Sequence, residues 1–354
     1  MNVVRSVGLG VAVVIGLGVV VFLGFLGYIV VTDYRPDAVE NAREIRNVEA
    51  SVPVGVPIRV TTFNIGYAGL DAGQDFFMDG GIESRSRSLE QTLVNIDGIL
   101  RFLSENDADI YALQEVDERA SRSFDTNQID MITDRLGSPY GAWFAYNYRA
   151  RWVPVPVTKP MGYAYSGLLT FSRFRSSAAR RYALPGVEPF PKRYFDLKRA
   201  VLENVFPVEN GRSLYFINLH LSAFDEGGLI RAQQIEFLID RIAELYRDGH
   251  YVVLAGDWNH LLDMSFLDRY HDPLPDWVAF LPAELLALDF TLAFDSSVTT
   301  VRDNVKPYVR GENFETIIDG FFVSNNVTVI ETIGTDLRFE HSDHNPVTVT
   351  LLLQ

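Results

Sequence analysis

Eight polar side chains stand in or beside short apolar runs rich in β-forming residues: Asn64, Glu115, His220, Asp257, Asn259, Asp319, Asp343 and His344. That repeated placement constrains the fold more than any bulk property. Polar groups at strand ends collect along one edge of a sheet, where the loops that carry function are built. The β-rich runs cover residues 58–63, 109–113, 167–171, 214–219, 251–255, 317–323 and 347–353. Leu89, Leu93, Ile96, Leu100 and Leu103 recur at helical spacing, and so do Ile235, Leu238, Ile239, Ile242 and Leu245. Helices and strands alternate loosely, with strands enough for two sheets. The layout predicts an α/β protein with two packed sheets flanked by helices, rather than one doubly wound sheet. Singly, each polar residue has an ordinary structural role: a turn for Asn64, an Asx turn for Asp257 with Asn259, a satisfied buried histidine for His220. Their shared position makes them a candidate site.

The N-terminus obeys a different rule. No charged residue occurs between Arg5 and Asp33, a run long enough as a helix to cross about 30 Å of hydrocarbon. It leads into Thr32-Asp33-Tyr34-Arg35-Pro36 without a small-residue cleavage pattern, so the expectation is an uncleaved single-pass anchor rather than a signal peptide. The expected organisation is a short tail (1–6), a transmembrane anchor (7–31), a tether (32–57) and a catalytic domain (58–354). Within the tether, the mixed charges of 37–49 suggest a short helix, and the Pro/Gly-punctuated 51–57 a linker. Arg5 before the span against Arg35, Arg43 and Arg46 after it favours a cytoplasmic body. A long domain overrides so small a bias, and the expectation is an extracytoplasmic catalytic domain on the membrane.

Composition narrows the chemistry. The absence of cysteine excludes disulfides, thiolate metal sites and cysteine nucleophiles. Any metal is then held by oxygen or imidazole, which favours Mg²⁺, Mn²⁺ or Ca²⁺. The formal charge of −15 argues against a long polyanion as partner. Residues 149–199, however, hold eleven basic and two acidic side chains, a net of +9 that leaves −24 for the remainder. Arg173, Arg180, Arg181, Lys192 and Arg193 in this segment are candidate phosphate-binding residues. His260 and His341 lie beside the candidate site in sequence and read as loop residues.

Seven words occur in one order over residues 60–350: Thr62-Phe63-Asn64-Ile65, Leu113-Gln114-Glu115-Val116, Gly167-Leu168-Leu169-Thr170-Phe171-Ser172-Arg173-Phe174, Asn218-Leu219-His220-Leu221, Ala255-Gly256-Asp257-Trp258-Asn259, Ile318-Asp319-Gly320-Phe321-Phe322-Val323-Ser324 and Ser342-Asp343-His344-Asn345-Pro346. In these words the chain resembles the endonuclease/exonuclease/phosphatase superfamily, which includes deoxyribonuclease-like and sphingomyelinase-like enzymes. It departs at Gly320, where the family often has Tyr, and residues 116–166 match little.

The resemblance implies a four-layer α/β sandwich of two packed, mostly antiparallel sheets, and a metal-dependent phosphoester hydrolase. It implies Glu115 as a metal carboxylate, with Asn64 beside it and Asp343 completing a Mg²⁺ (or Mn²⁺) site. Asp319 and His344 resemble the family's Asp–His pair, with His344 as general base or phosphate-stabilising cation. Asp257 would orient or deprotonate the attacking water, Asn259 would donate to a phosphoryl oxygen, and His220 would donate to another or protonate the leaving group. The choice of base between Asp257 and His344 stays open. A membrane-anchored phosphodiesterase or phosphatase acting on a small or lipid-linked phosphate is the first expectation. A nuclease using the basic segment and the aromatics Trp143, Phe144, Tyr146, Tyr148 and Trp152 is the second. A non-catalytic tethered interaction domain is the third. No obligate protein partner is indicated.

Overall fold

A computed structural model describes residues 2–354 except Phe224 and Arg269, with the side chains of residues 2–5, Arg5 included, and of Glu226 also undescribed. Helix α1 (Asn2–Val31) comes first, and the two short strands β1 (Val39–Asn41) and β2 (Arg43–Arg46) follow. The next elements are β3 (Ile58–Asn64), α2 (Leu89–Asn106), β4 (Ile110–Ala120), α3 (Gln128–Leu136), β5 (Gly141–Val153), β6 (Gly162–Ser172) and β7 (Ala178–Ala183). Then come β8 (Ala200–Pro207), β9 (Ser213–His220), α4 (Leu229–Arg247) and β10 (Tyr251–Asp257). The chain ends with α5 (Ala283–Leu286), β11 (Phe290–Ala293), β12 (Val301–Arg302), β13 (Glu315–Thr316), β14 (Asp319–Ser324), β15 (Val327–Gly334) and β16 (Val347–Leu353).

Two seven-stranded sheets result, ordered β15-β16-β3-β4-β6-β5-β2 and β1-β7-β8-β9-β10-β14-β11. Only β3–β4 and β9–β10 pair in parallel; the other pairs within these sheets are antiparallel. Each parallel pair is bridged by one amphipathic helix, α2 or α4, as a parallel crossover requires. The sheets pack face to face over a core containing Val60, Ala112, Leu168, Phe216, Val253 and Phe321. Ile96, Ile99, Leu100 and Leu103 of α2 and Ile129 and Ile132 of α3 cover the outer face of the first sheet. Ile235, Leu238, Ile242 and Leu245 of α4 cover the second. This is the expected four-layer sandwich. Leu89 and Leu93 are exposed, so the α2 stripe meets the core with its C-terminal two-thirds.

One buried polar tie crosses between the sheets. Gln114 donates to Asn218 Oδ1 (2.8 Å), and Asn218 donates to the carbonyls of Leu113 and Leu169 (both 3.2 Å). Satisfied buried amides of this kind fix one sheet against the other. They sit one residue before Glu115 and two before His220.

The segment 32–57 is not a free tether, and 37–49 is not helical. β1 pairs with β7 at the edge of one sheet, and β2 pairs with β5 at the edge of the other. Arg46 donates to the carbonyl of Tyr140 (2.5 Å), and buried Val52 bridges to Val208. The charges that suggested a helix are those of edge strands, where charged side chains are usual. The folded body therefore includes the two strands of residues 39–46. A fragment lacking residues 1–31 should melt several degrees above one lacking 1–50, since each kcal/mol moves the midpoint by roughly 2–4 °C in a domain this large. Equal midpoints by circular dichroism would show that the two strands add nothing.

Within α1, residues Ser6–Val31 are long and apolar enough to cross a membrane, with a mean hydropathy of 2.8.

Candidate active site

Strand register assembles the floor of the site. Asp257, at the end of β10, pairs with His220 of β9 on one side and with Asp319 of β14 on the other. From the facing sheet, Asn64 ends β3 and pairs with Gln114 of β4. At the next residue β4 slips register against β6 between Leu113 and Val116, and Glu115 takes a left-handed φ of +54°. A bulge there re-aims a side chain, and a positive φ on a non-glycine residue is strain concentrated at a site. Asn259 (φ +48°) and Tyr67 (φ +44°) share this conformation. Asp343 and His344 enter from the turn before β16. Gly66, with φ +49°, lets the 64–66 turn approach that segment: a Cβ on it would lie 2.8 Å from Asp343 Oδ1.

Glu115, His220, Asp257, Asn259, Asp343 and His344 line a cavity of about 260 Å³. Asp257 Oδ2 is its hub. It accepts from Asn64 Nδ2 (3.0 Å) and lies 3.4 Å from His220 Nε2 and 3.8 Å from His344 Nε2. Asp257 Oδ1 accepts from the backbone N–H of Asn259 (2.9 Å). His344 Nδ1 donates to Asp319 Oδ2 (2.8 Å), and Asp319 is itself fixed through its backbone N–H to Thr300 Oγ1 (3.0 Å). Asn259 is held by its amide nitrogen on the Leu221 carbonyl (2.8 Å). Asn64 Oδ1 accepts from the N–H of Gly66 (3.0 Å), so Asn64 turns its amide nitrogen toward Asp257 and toward Glu115 (3.3 Å).

The two imidazoles are held in opposite charge states. Burial pushes the His344 pKa down, but Asp319, Asp257 and Asp343 outweigh it and raise it to about 10. Burial, with Arg199 and His344 nearby, holds His220 well below the ordinary histidine range. Among the described residues His220 Nδ1 has no hydrogen-bond partner. Burial and the adjacent Asp319 raise Asp257, and burial raises Glu115 against the pull of Arg122.

All eight strand-end residues line this cavity or touch a residue that does. The basic candidates do not converge. Arg173 sits at the opposite end of the first sheet, beside Asp107, 3.2 Å from Asp109 and over Tyr140. Arg181 is buried and donates to the carbonyls of Tyr146 (2.7 Å) and Lys198 (2.9 Å). Arg180 is exposed on β7, and Arg193 lines a second cavity, with Arg181, outside this one. Lys192 alone of the five lines the main cavity. His260 and His341 do not line it; His260 bonds the carbonyl of Trp258 (2.5 Å). Of the aromatics, Trp143, Phe144 and Tyr148 are packed inside, and only Tyr148 reaches the cavity.

Several lining groups carried no signal in the chain. Arg122 stacks on Tyr67 (3.9 Å), pairs with Asp117 (2.9 Å) and stands 3.6 Å from Glu115. Arg199 donates to the His220 carbonyl (3.4 Å). Asn304 donates to both Asp343 (2.8 Å) and Asp79 (3.0 Å), and burial raises Asp79 to about 6. Arg199 was within reach of sequence reasoning, as the end of the basic run and 21 residues from His220.

Gly320 has a local cause. A Cβ there would stand 2.8 Å from Leu262 Cδ1 and 2.9 Å from the Ala293 carbonyl of β11. Gly320→Tyr should therefore destabilise the chain by about 1–3 kcal/mol, the usual cost of overpacking. An unchanged denaturation midpoint would mean that β11 yields.

Carboxylates converging with a backed imidazole in one cavity are the groups a metal-dependent phosphoester hydrolase needs. The comparisons give its kinship. The model of the Endonuclease/Exonuclease/phosphatase family matches residues 62–344, and the chain belongs to that family. Its fold is similar to an endonuclease/exonuclease/phosphatase from Beutenbergia cavernae DSM 12333 (19% identity, TM-score 0.55, covering 84% of this chain and 72% of that one). It is also similar to one from Bacteroides vulgatus (18%, 0.53, 84% and 100%) and to truncated Caenorhabditis elegans TDP2 (18%, 0.52, 84% and 99%). No curated protein matches the chain.

Proposed function

We propose that this chain is a membrane-anchored, Mg²⁺- or Mn²⁺-dependent phosphodiesterase or phosphatase acting on a small or lipid-linked phosphate. The observation that carries the reading is the compact cavity over the polar floor, to which Lys192 alone of the five basic candidates contributes. Two of the five basic candidates, Arg173 and Arg181, are spent on internal partners.

Glu115 and Asp343 offer hard oxygen ligands from two segments that line the cavity, a donor set that fits a divalent cation, and Asn64 would join it only with its amide turned so that Oδ1 faces Glu115. The bound ion would neutralise charge on the phosphoryl oxygens. Asp257 takes the proton of the attacking water, since its Oδ2 is the acceptor facing both imidazoles. His344, backed by Asp319, faces the phosphoryl group as a cation, and this favours Asp257 over His344 as base. His220 and Asn259 donate to the phosphoryl oxygens. Asp257, Asp319 and His344 also cluster tightly enough for a metal, but the 2.8 Å His344–Asp319 contact is that of a hydrogen-bonded pair.

We place the body on the extracytoplasmic side. Two of the positive residues that argue otherwise, Arg43 and Arg46, are engaged by the folded body, Arg43 at its surface by Glu118 and Arg46 by the Tyr140 carbonyl. Protease digestion of intact cells reads this directly.

A soluble phosphodiester should be hydrolysed with a shallow dependence on salt. Duplex DNA binding that falls steeply with salt, with a log–log slope near −0.9 per phosphate contact, would replace this reading with a nuclease. Neutralising Arg180, Lys192 and Arg193 together should then cripple the activity, whereas a small-molecule hydrolase would be dented.

A further inference from the structure

The floor of the cavity is polar and its walls are not. Phe76, Phe77, Val153, Met161, Phe195 and Leu197 line it, packed with Tyr148 into a small cluster separate from the three larger cores. The membrane-spanning helix reaches this same cluster. Phe25 of α1 stacks on Phe195, with ring centroids 6.3 Å apart and planes 11° from parallel. Ile29 is buried, Asp33 pairs with Lys198 (3.2 Å), and Arg35 donates back to the Val30 carbonyl (2.9 Å). The exit of the helix is therefore fixed to the 184–199 segment that forms one wall of the cavity.

This fixes depth. Phe25 lies six residues inside the end of the helix at Val31, about 9 Å along its axis. With α1 across a bilayer, Phe195 stands at the level of the lipid rather than above it. The neighbouring side chains suit that position. Val155, Val157, Val187 and Phe190 are 42%, 85%, 74% and 59% exposed on the two segments that flank the mouth. Apolar side chains exposed together on adjacent loops mark an interaction surface. Arg151, Lys192 and Arg193 on the same segments are exposed and match the negative charge of phospholipid headgroups.

We propose that the mouth of the cavity is seated on the lipid surface by residues 152–157 and 187–193, and that the substrate is a phospholipid of the same leaflet. Its phosphate reaches the Asp257 floor while its acyl chains stay in the bilayer beside Phe195. Water adds to phosphorus, the P–O bond to the departing group breaks, and that oxygen leaves protonated. The proposal rests on the hydrolase reading above and adds where the substrate comes from.

The test uses the full-length chain in phosphatidylcholine vesicles with and without phosphatidylglycerol. The chain has no cysteine, so Val157→Cys, Phe190→Cys and, at the far edge of the body, Glu105→Cys each carry a single fluorescent label. Labels at 157 and 190 should be quenched by doxyl lipid and shielded from iodide, with the reverse at 105. Labels at 157 and 190 as open to iodide as that at 105 would overturn the seating. In parallel, combined Val157→Ser, Val187→Ser and Phe190→Ser should lower hydrolysis of vesicle phospholipid on the order of tenfold or more. Hydrolysis of soluble bis(4-nitrophenyl) phosphate should stay within about twofold, since none of the three contributes to the polar floor. A wild-type chain that cleaves the soluble ester but no vesicle phospholipid sinks this proposal alone. One that cleaves neither of these, nor 4-nitrophenyl phosphate as a soluble monoester, sinks the hydrolase reading with it.

Discussion

Asp257→Asn and His344→Ala should each lower turnover by on the order of 10²–10⁴, the usual scale for groups that move or stabilise a proton. The expectation follows from Asp257 Oδ2, on which Asn64, His220 and His344 converge at 3.0, 3.4 and 3.8 Å. An amide at 257 cannot serve both sides. If its oxygen still accepts from the Asn259 N–H, its nitrogen meets the donating nitrogen of Asn64. His344→Ala removes the cation and leaves Asp319 buried without its partner. Each change should cost about 1–3 kcal/mol of stability, as unpaired buried polar groups do. A domain with a core of this extent should remain folded. The double variant should be far less than multiplicatively worse, because groups acting as a unit fail together. Initial rates and thermal melts measured side by side decide this. A wild-type rate in either single variant removes that residue from the chemistry.

The site was legible in the chain because strand ends are a one-dimensional feature with a three-dimensional consequence. An apolar run ending in His220, and others bounded by Asp257 and Asp319, need only pair in register to become neighbours, and β9, β10 and β14 do so. The words also held more structure than catalysis: Gln114 and Asn218, next to the functional residues, tie the two sheets together. Charge counting failed for the opposite reason. The net +9 of residues 149–199 carries no information about partners far along the chain. Arg173 faces Asp107 and Asp109, more than sixty residues earlier. Tyr67, Arg122, Asp79 and Asn304 were invisible because each sits on a turn or loop, and only tertiary closure turns it inward. The 37–49 segment was misread because a strand of three or four residues is too short to display a period.

Chelation should silence the enzyme, and Mg²⁺ or Mn²⁺ should restore it, because Glu115 and Asp343 bring two carboxylates to one cavity. Without a cation, burial and the charge of Asp343 raise the Glu115 pKa, and Arg122 compensates in part from 3.6 Å. A divalent ion relieves that repulsion, so binding should be visible as stability as well as rate. At about one hundred times Kd a ligand specific for the folded state adds about 2.7 kcal/mol, a rise of several degrees in melting temperature. Glu115→Gln and Asp343→Asn should each abolish most of that rise and most of the activity. Asp319→Asn should keep the rise while losing rate, since its carboxylate is committed to His344 Nδ1. The opposite pattern, with the thermal shift lost in Asp319→Asn and kept in Glu115→Gln, would move the metal to the Asp257–Asp319–His344 cluster. His344 could not then act as the imidazolium that faces the phosphate. Full activity in a chelated sample would remove the metal from the reaction altogether.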